Sequence, residues 1–164
     1  MCSATSSNNA FTNTRINSTA DYITTTTGSG NSLTNTTIYR TNTSVRFIPT
    51  ITVAASRTVG PSLLNLTFNK TFLNSTALPE FNTSAEITLR GITFTNPQPL
   101  VDFNDDGIFE TCSSPGCNVV NFNSTTETFV FNVSGWTTYS ASESSNNTID
   151  NCTTISSPGY YNLT

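Results

Sequence analysis

Phe129-Val130-Phe131-Asn132-Val133-Ser134 sets the reading of the whole chain. Phe129, Phe131 and Val133 fall on one parity, and Val130, Asn132 and Ser134 on the other. That two-residue period belongs to a strand buried on one face. Similar alternation recurs along the sequence. Leu64, Leu66 and Phe68 alternate with Asn65, Thr67 and Asn69, and Val120 and Phe122 with Asn121 and Asn123. Val45, Phe47, Ile51, Val53 and Ala55 share a parity against Ser44, Arg46, Thr50 and Thr52. Pro49 marks a break or a sheet edge. Ile87 and Leu89 are followed by Ile92 and Phe94 on the opposite parity, which places a bulge or bend at Gly91. No segment carries a 3.6-residue apolar period, and Gly, Pro, Asn and Asp separate the runs. The pattern predicts an all-β fold, an Ig-like or jelly-roll-type β-sandwich of about 8–10 strands over residues 36–164. Residues 1–35 are mostly Ser, Thr, Asn and Gly, with Phe11, Ile16, Tyr22 and Ile23 as sparse anchors. They read as an extended polar N-terminal arm or a first strand. No internal repeat stands out.

The 164 residues suit one domain, or one domain with an extended tail. Leu, Ile, Val and Phe number 38, about 23% of the chain, just above the roughly 20% below which highly charged chains stay disordered. The net charge is only −4, so a folded but thin core is expected. Thr (33), Ser (21) and Asn (21) dominate, against one Lys, five Arg and no His. Thr suits strands and Asn suits turns. This balance leaves no basic patch for nucleic acid and no polybasic stretch for anionic lipid. No apolar run reaches the length of a membrane span. No leader pattern opens the chain, so a secreted form is expected to have lost its signal or to come from a longer precursor. Without His, imidazole-dependent triads are excluded. Glu80, Glu86, Glu127 and Glu143 are too scattered to suggest a glycosidase pair. The expectation is that this is not an enzyme.

Asn-x-Ser/Thr sequons begin at Asn17, Asn35, Asn42, Asn65, Asn69, Asn74, Asn82, Asn123, Asn132, Asn146, Asn151 and Asn162. Roughly seven would arise by chance in so Asn- and Thr-rich a chain, so twelve is an excess. Asn65, Asn69, Asn123 and Asn132 take the polar parity of their strands, while Asn35, Asn74, Asn82 and Asn146 fall in turn-like segments. N-linked glycans and an extracellular, cell-surface location follow as expectations. Cysteine use agrees with an oxidising compartment. Cys112 and Cys117 bracket the turn sequence Ser-Ser-Pro-Gly, and Cys2 and Cys152 lie near opposite ends. Of three possible pairings, Cys112–Cys117 with Cys2–Cys152 is favoured, the latter within a chain or between neighbours.

Asp102-Phe-Asn104-Asp-Asp106-Gly107-Ile108-Phe-Glu110 is the sharpest local motif. Side chains of Asp102, Asn104, Asp106 and Glu110, with the Ile108 carbonyl, have the spacing to wrap a structural Ca²⁺ around the turn at Gly107. The segment resembles the D-x-N-x-D-G calcium loops of secreted adhesins and integrin-like modules. It departs from the EF-hand, with Ser113 where a bidentate Glu would stand. A plain hairpin turn at Asp105-Asp106-Gly107 is the alternative. Trp136 and Tyr139, in Gly-Trp-Thr-Thr-Tyr, are either a sugar platform or a plug at the end of the core.

Two longer segments carry a family resemblance. Phe129-Val-Phe-Asn-Val-Ser-Gly-Trp-Thr-Thr-Tyr-Ser resembles a strand–turn–strand segment of large archaeal surface proteins. Cys152-Thr-Thr-Ile-Ser-Ser-Pro-Gly-Tyr-Tyr-Asn-Leu-Thr164 resembles the opening of a following module in them. The composition is similar to that of subunits of archaeal extracellular threads and bundling pili. The resemblance implies a structural subunit of a glycosylated filament or surface layer, a homopolymer of copies joined head to tail by β-strand donation. The donor would be the arm before residue 35 or the segment around Ile149–Ile155. Lys70 is the sole lysine, so isopeptide cross-links are not expected as a general device. The alternative is a calcium-stabilised binding module of a larger adhesin, taking host or neighbour cell-surface glycans. An accessory domain of a glycan-active enzyme comes third.

Overall fold

The computed structural model describes residues 2–4, 7–26, 28–145, 147–149 and 161–163, with side chains over 7–26 and 28–145. The protein is all-β and sandwich-type. Strands make up 49% of it, and the one helical element among the described residues is a 3-10 turn at Pro79–Phe81. Cys2 and Cys152 lie outside the residues with described side chains, as do Asn146, Asn151 and Asn162. The Ile149–Ile155 segment lies largely outside them too.

The first nine strands are β1 (Cys2–Ala4), β2 (Ala10–Thr12), β3 (Arg15–Ile16), β4 (Ile23–Thr25), β5 (Asn31–Thr34), β6 (Thr36–Tyr39), β7 (Thr43–Phe47), β8 (Ile51–Val53) and β9 (Thr58–Val59). Within residues 1–35 the described residues form five short strands. β1 pairs parallel with β4, β2 with β5 and β3 with β6, through Cys2↔Ile23, Ala10↔Ser32 and Arg15↔Thr37. The strands β1–β3 and β4–β6 thus follow the same path one strand spacing apart, as two coils of a solenoid. The chain then reverses at residues 40–42. β7, β8 and β9 run back antiparallel along β6, β5 and β4, through Thr36↔Phe47, Asn31↔Val53 and Ile23↔Val59.

This topology corrects the expectation of no repeat. At the offset of 22 set by β2 and β3, Ser7-Asn-Asn-Ala-Phe-Thr-Asn-Thr-Arg-Ile16 aligns with Ser29-Gly-Asn-Ser-Leu-Thr-Asn-Thr-Thr-Ile38. Ser7/Ser29, Asn9/Asn31, Thr12/Thr34, Asn13/Asn35, Thr14/Thr36 and Ile16/Ile38 are identical. The backbone agrees. Left-handed residues stand at Asn8 (φ 60°) and Gly30 (φ 71°), and again at Asn13 (φ 53°) and Asn35 (φ 48°). These are corner positions that Asn and Gly adopt at least strain.

The remaining strands build the sandwich. They are β10 (Leu64–Thr67), β11 (Lys70–Leu73), β12 (Ala85–Arg90), β13 (Pro97–Asp102), β14 (Glu110–Thr111), β15 (Cys117–Asn123), β16 (Thr128–Val133) and β17 (Thr138–Glu143). β18 (Asn147–Ile149) and β19 (Tyr161–Leu163) form a separate parallel pair. One sheet has the order β10-β11-β17-β13-β14, and the other β15-β16-β12-β7-β6-β3. The second sheet therefore runs from the sandwich into one side of the solenoid.

Alternation places the core. Val45, Phe47, Ile87, Leu89, Phe129, Phe131 and Val133 are all buried on the six-stranded sheet, and Leu64, Leu66, Leu73, Val101 and Ala141 on the other. Phe131 meets Tyr139 across the layers edge-on at 6.4 Å. Burying each large side chain contributes about 1.5–3 kcal/mol. Gly91, at φ 75°, ends β12 at the expected bend. Four positions differ from their parity. Phe68 is exposed because Asn69 (φ 48°) turns the chain there. Val120 is exposed because β15 bulges between Val119 and Asn121. Ala55 lies beyond the end of β8 and is exposed. Ser44 is buried on an interior strand and accepts a hydrogen bond from Arg90 Nη1 at 3.3 Å.

Candidate functional site

The Asp102–Glu110 loop links β13 to β14. Asp102 is buried at its base. Its Oδ1 accepts from the Asp106 N–H at 3.1 Å and its Oδ2 from the Gly107 N–H at 2.8 Å. Asp106 Oδ1 accepts from the Ile108 N–H at 2.9 Å. Asp105 Oδ1 accepts from the hydroxyls of Thr137 (3.0 Å) and Thr138 (2.6 Å), tying the loop to β17. Asn104, Asp106 and Ile108 are exposed, and Glu110 pairs with Val101 through its backbone. Among the described residues no cluster of three or more His, Cys, Asp or Glu could hold a metal ion. In this conformation the loop is a self-capped turn.

Cys112 and Cys117 form the expected disulfide, with Cα atoms 5.5 Å apart. It borders a surface groove of 650 Å³ that also reaches Asn82, Phe103, Trp136 and Tyr139. Trp136 is a core plug, only 6% exposed, with its ring 5.6 Å from Phe47 and 6.0 Å from Tyr139. The Tyr139 hydroxyl donates to the Gly135 carbonyl at 2.7 Å, fixing the corner that leads into β17. Desolvation pushes the Tyr139 phenol up to about 12.

Sequon asparagines divide by what their amides do. Asn17, Asn65, Asn82 and Asn123 are exposed, while Asn35, Asn42, Asn69, Asn74 and Asn132 are half-buried. Three are anchored by the carbonyl alone. Asn82 Oδ1 accepts from the Trp136 N–H, Asn74 Oδ1 from the Ala77 N–H, and Asn123 Oδ1 from the N–H groups of Thr125 and Thr126. Two use Nδ2 within the fold. Asn35 Nδ2 donates to Asn13 Oδ1 at 2.7 Å, and Asn69 Nδ2 to the Ala141 carbonyl at 2.9 Å.

The scattered glutamates have structural partners. Glu86 pairs bidentately with Arg46 across β12 and β7, which holds the guanidinium further into its charged form. Glu80 pairs with Arg57, whose Nη1 also donates to the Ala77 carbonyl. Glu143 accepts from the N–H groups of Thr95 and Asn96. Glu127 is exposed in the turn before β16. No helix among the described residues is long and apolar enough to cross a membrane.

The feature that sequence reasoning missed is the amide ladder of the coils. Asn31 Oδ1 accepts from Asn9 Nδ2 at 2.9 Å and from the Asn9 N–H at 3.1 Å. With Asn35 Nδ2 on Asn13 Oδ1, asparagines stack from coil to coil. The 22-residue repeat was the signal that could have found them.

No protein-family model, curated protein or solved structure matches this chain.

Proposed function

We propose that this chain is a structural, non-catalytic module of an extracellular, N-glycosylated filament or surface layer, assembled by β-strand addition. The observation that carries the reading is the placement of the sequons. None of the nine with described side chains is buried. Asn17, Asn65, Asn74, Asn82 and Asn123 leave Nδ2 with no protein partner among the described residues, so a sugar there displaces no hydrogen bond of the fold. At Asn35 and Asn69 it would intrude on a structural one. Glycans on the first group would shield a thin core. The Cys112–Cys117 bridge supports an oxidising compartment. Rather than acting as a free donor, the described part of the N-terminal arm is paired within its own chain, which favours an acceptor role for its outer edge.

Glycopeptide mapping of protein from its native source tests the reading. Sugar is expected at Asn17, Asn65, Asn74, Asn82 and Asn123, with the lowest occupancy at Asn35 and Asn69. An intact mass unchanged by deglycosylation would refute it. Electron microscopy of the same material tests the assembly, and monomers alone at high concentration would remove the filament.

A further inference from the structure

Asn82 stands on the wall of the groove beside the Cys112–Cys117 disulfide. Its backbone is fixed at the end of the 3-10 turn, where the Asn82 N–H donates to the Pro79 carbonyl at 3.1 Å. The side-chain carbonyl accepts from the Trp136 N–H at 2.9 Å, and because that partner is a donor the amide orientation is set. Nδ2 takes the other branch of the amide plane and has no protein partner among the described residues. A sugar attached there leaves the Oδ1 bond to Trp136 intact, so attachment and fold do not compete. We infer that this groove seats the chain's own Asn82-linked glycan, its inner sugar units lying against Phe103 and the disulfide loop. The inference rests on the glycan reading above and adds to it a defined site and a defined occupant.

The lining carries the chemistry of a sugar site. None of the described residues that form it is charged. Thr111, Ser113, Ser114 and Ser134 offer hydroxyls, while Phe103 and Pro115 offer apolar faces. Neutral polar groups beside ring faces suit a carbohydrate, which presents C–H faces and hydroxyls but no charge. Phe103 is 68% exposed and takes no part in the hydrophobic core, so the fold alone does not account for a ring at that place. The walls are also preformed. The disulfide closes one side, the Ser134 N–H donates to the Gly116 carbonyl at 3.0 Å, and the Thr137 hydroxyl donates to the Asp102 carbonyl at 2.6 Å, next to Phe103. Little ordering is then required of the protein when a ligand settles. Size and tether select the occupant. The groove's 650 Å³ lies within the roughly 300–1,000 Å³ of small-ligand sites. A sugar joined to its wall has an effective concentration on the order of millimolar, so weak stacking holds it and a free sugar competes poorly.

Four forms of the full chain, made in a host that N-glycosylates, test the assignment: the wild type, Phe103→Ala, Ser84→Ala and the double variant. Ser84→Ala removes the exposed acceptor hydroxyl of the sequon but keeps Asn82. Glycopeptide mapping first reports occupancy at Asn82 and at Asn123, an exposed turn sequon outside the groove. On native wild type, an enzyme that releases the sugar is expected to act several-fold more slowly at Asn82 than at Asn123. Phe103→Ala should remove most of that difference. It should also lower the Tm by about 2–4 °C when Asn82 carries its sugar, and by much less in the Ser84→Ala background. Equal release at the two sites, or an equal Tm effect in both backgrounds, would overturn the inference and leave the glycan reading standing. An empty Asn82 beside an occupied Asn123 would do the same. Sugar missing from every sequon would remove both.

Discussion

Asn69 is the most informative single residue to change. It turns the chain between β10 and β11 at φ 48°, and its side chain then acts as a strand neighbour for β17. Nδ2 donates to the Ala141 carbonyl at 2.9 Å, and Oδ1 accepts from the Ala141 N–H at 3.0 Å. Ala141 is buried, so both groups would be left without partners by truncation. Each lost hydrogen bond costs about 1 kcal/mol. A left-handed Ala adds about 1 kcal/mol more. Asn69→Ala should therefore lose about 3 kcal/mol. Asn69→Gly keeps the turn and should lose about 2 kcal/mol. For a domain of this size the alanine loss is a fall of roughly 6–12 °C in Tm. Urea denaturation of protein made in a host without N-glycosylation measures the difference with no glycan term. A loss below about 1 kcal/mol for the alanine variant would refute the bridging role. Equal losses for Ala and Gly would refute the backbone contribution.

Thr71 is the hydroxyl position of the Asn69 sequon, and its Oγ1 is buried with no hydrogen-bond partner among the described residues. Thr71→Val should leave stability unchanged or raise it by up to about 1 kcal/mol while abolishing any sugar at Asn69; a clear loss by urea melt counts against this. The Tyr139 phenol, at about 12 in the fold, is near 10 when unfolded. Below pH 10 both states are protonated, but above it the unfolded state ionises first, so stability falls between pH 10 and 12. Tyr139→Phe should flatten the pH–Tm curve there, and an unflattened curve would contradict it. Replacing both Cys112 and Cys117 by Ser should cost about 2 kcal/mol, as expected for so short a loop, measured against the wild type under oxidising conditions. The self-capped turn at Asp102 needs no ion to satisfy its amides, and for it an unmoved Tm in millimolar Ca²⁺ or chelator is expected; a rise of several degrees with Ca²⁺ would support the calcium reading.

The sandwich strands were legible in the sequence because one face meets a core and the other meets solvent. Phe129, Phe131 and Val133 alternate with Val130, Asn132 and Ser134, and all three apolar residues are buried. Gly91 was legible because its parity change required a bend. The coils were not legible by that criterion. Each coil contributes few apolar residues, such as Leu33 and Ile38, and its regularity lies in Asn, Thr and Ser. In a chain where those three types dominate, a repeat built from them merges into the composition. Only the parallel offset in the pairing separates it out. The Asp102 loop poses the reverse problem. Its spacing suits a cation, but spacing does not determine whether oxygens or N–H groups turn inward.

The shared sheet explains how so thin a core can hold two architectures together. β6 pairs with β3 on one side and β7 on the other, while β7 also pairs with β12 of the sandwich. Ile38 and Val45 are therefore fully buried at the junction itself. The reversal at residues 40–42 lets a parallel stack end against an antiparallel sheet without leaving an open edge between them. Polar ties reinforce the junction on its outer face. Arg46 on β7 reaches Glu86 on β12 and also donates to Asn35 Oδ1 at the coil corner. Arg40 donates to the Ser18 carbonyl in the connection between the coils. Arg57, beside β9, holds Glu80 in the 3-10 turn of the sandwich. Three of the five arginines thus span from coil to sandwich or from coil to coil. In a chain with so few charges, that concentration places its strongest polar contacts where strands alone give least redundancy.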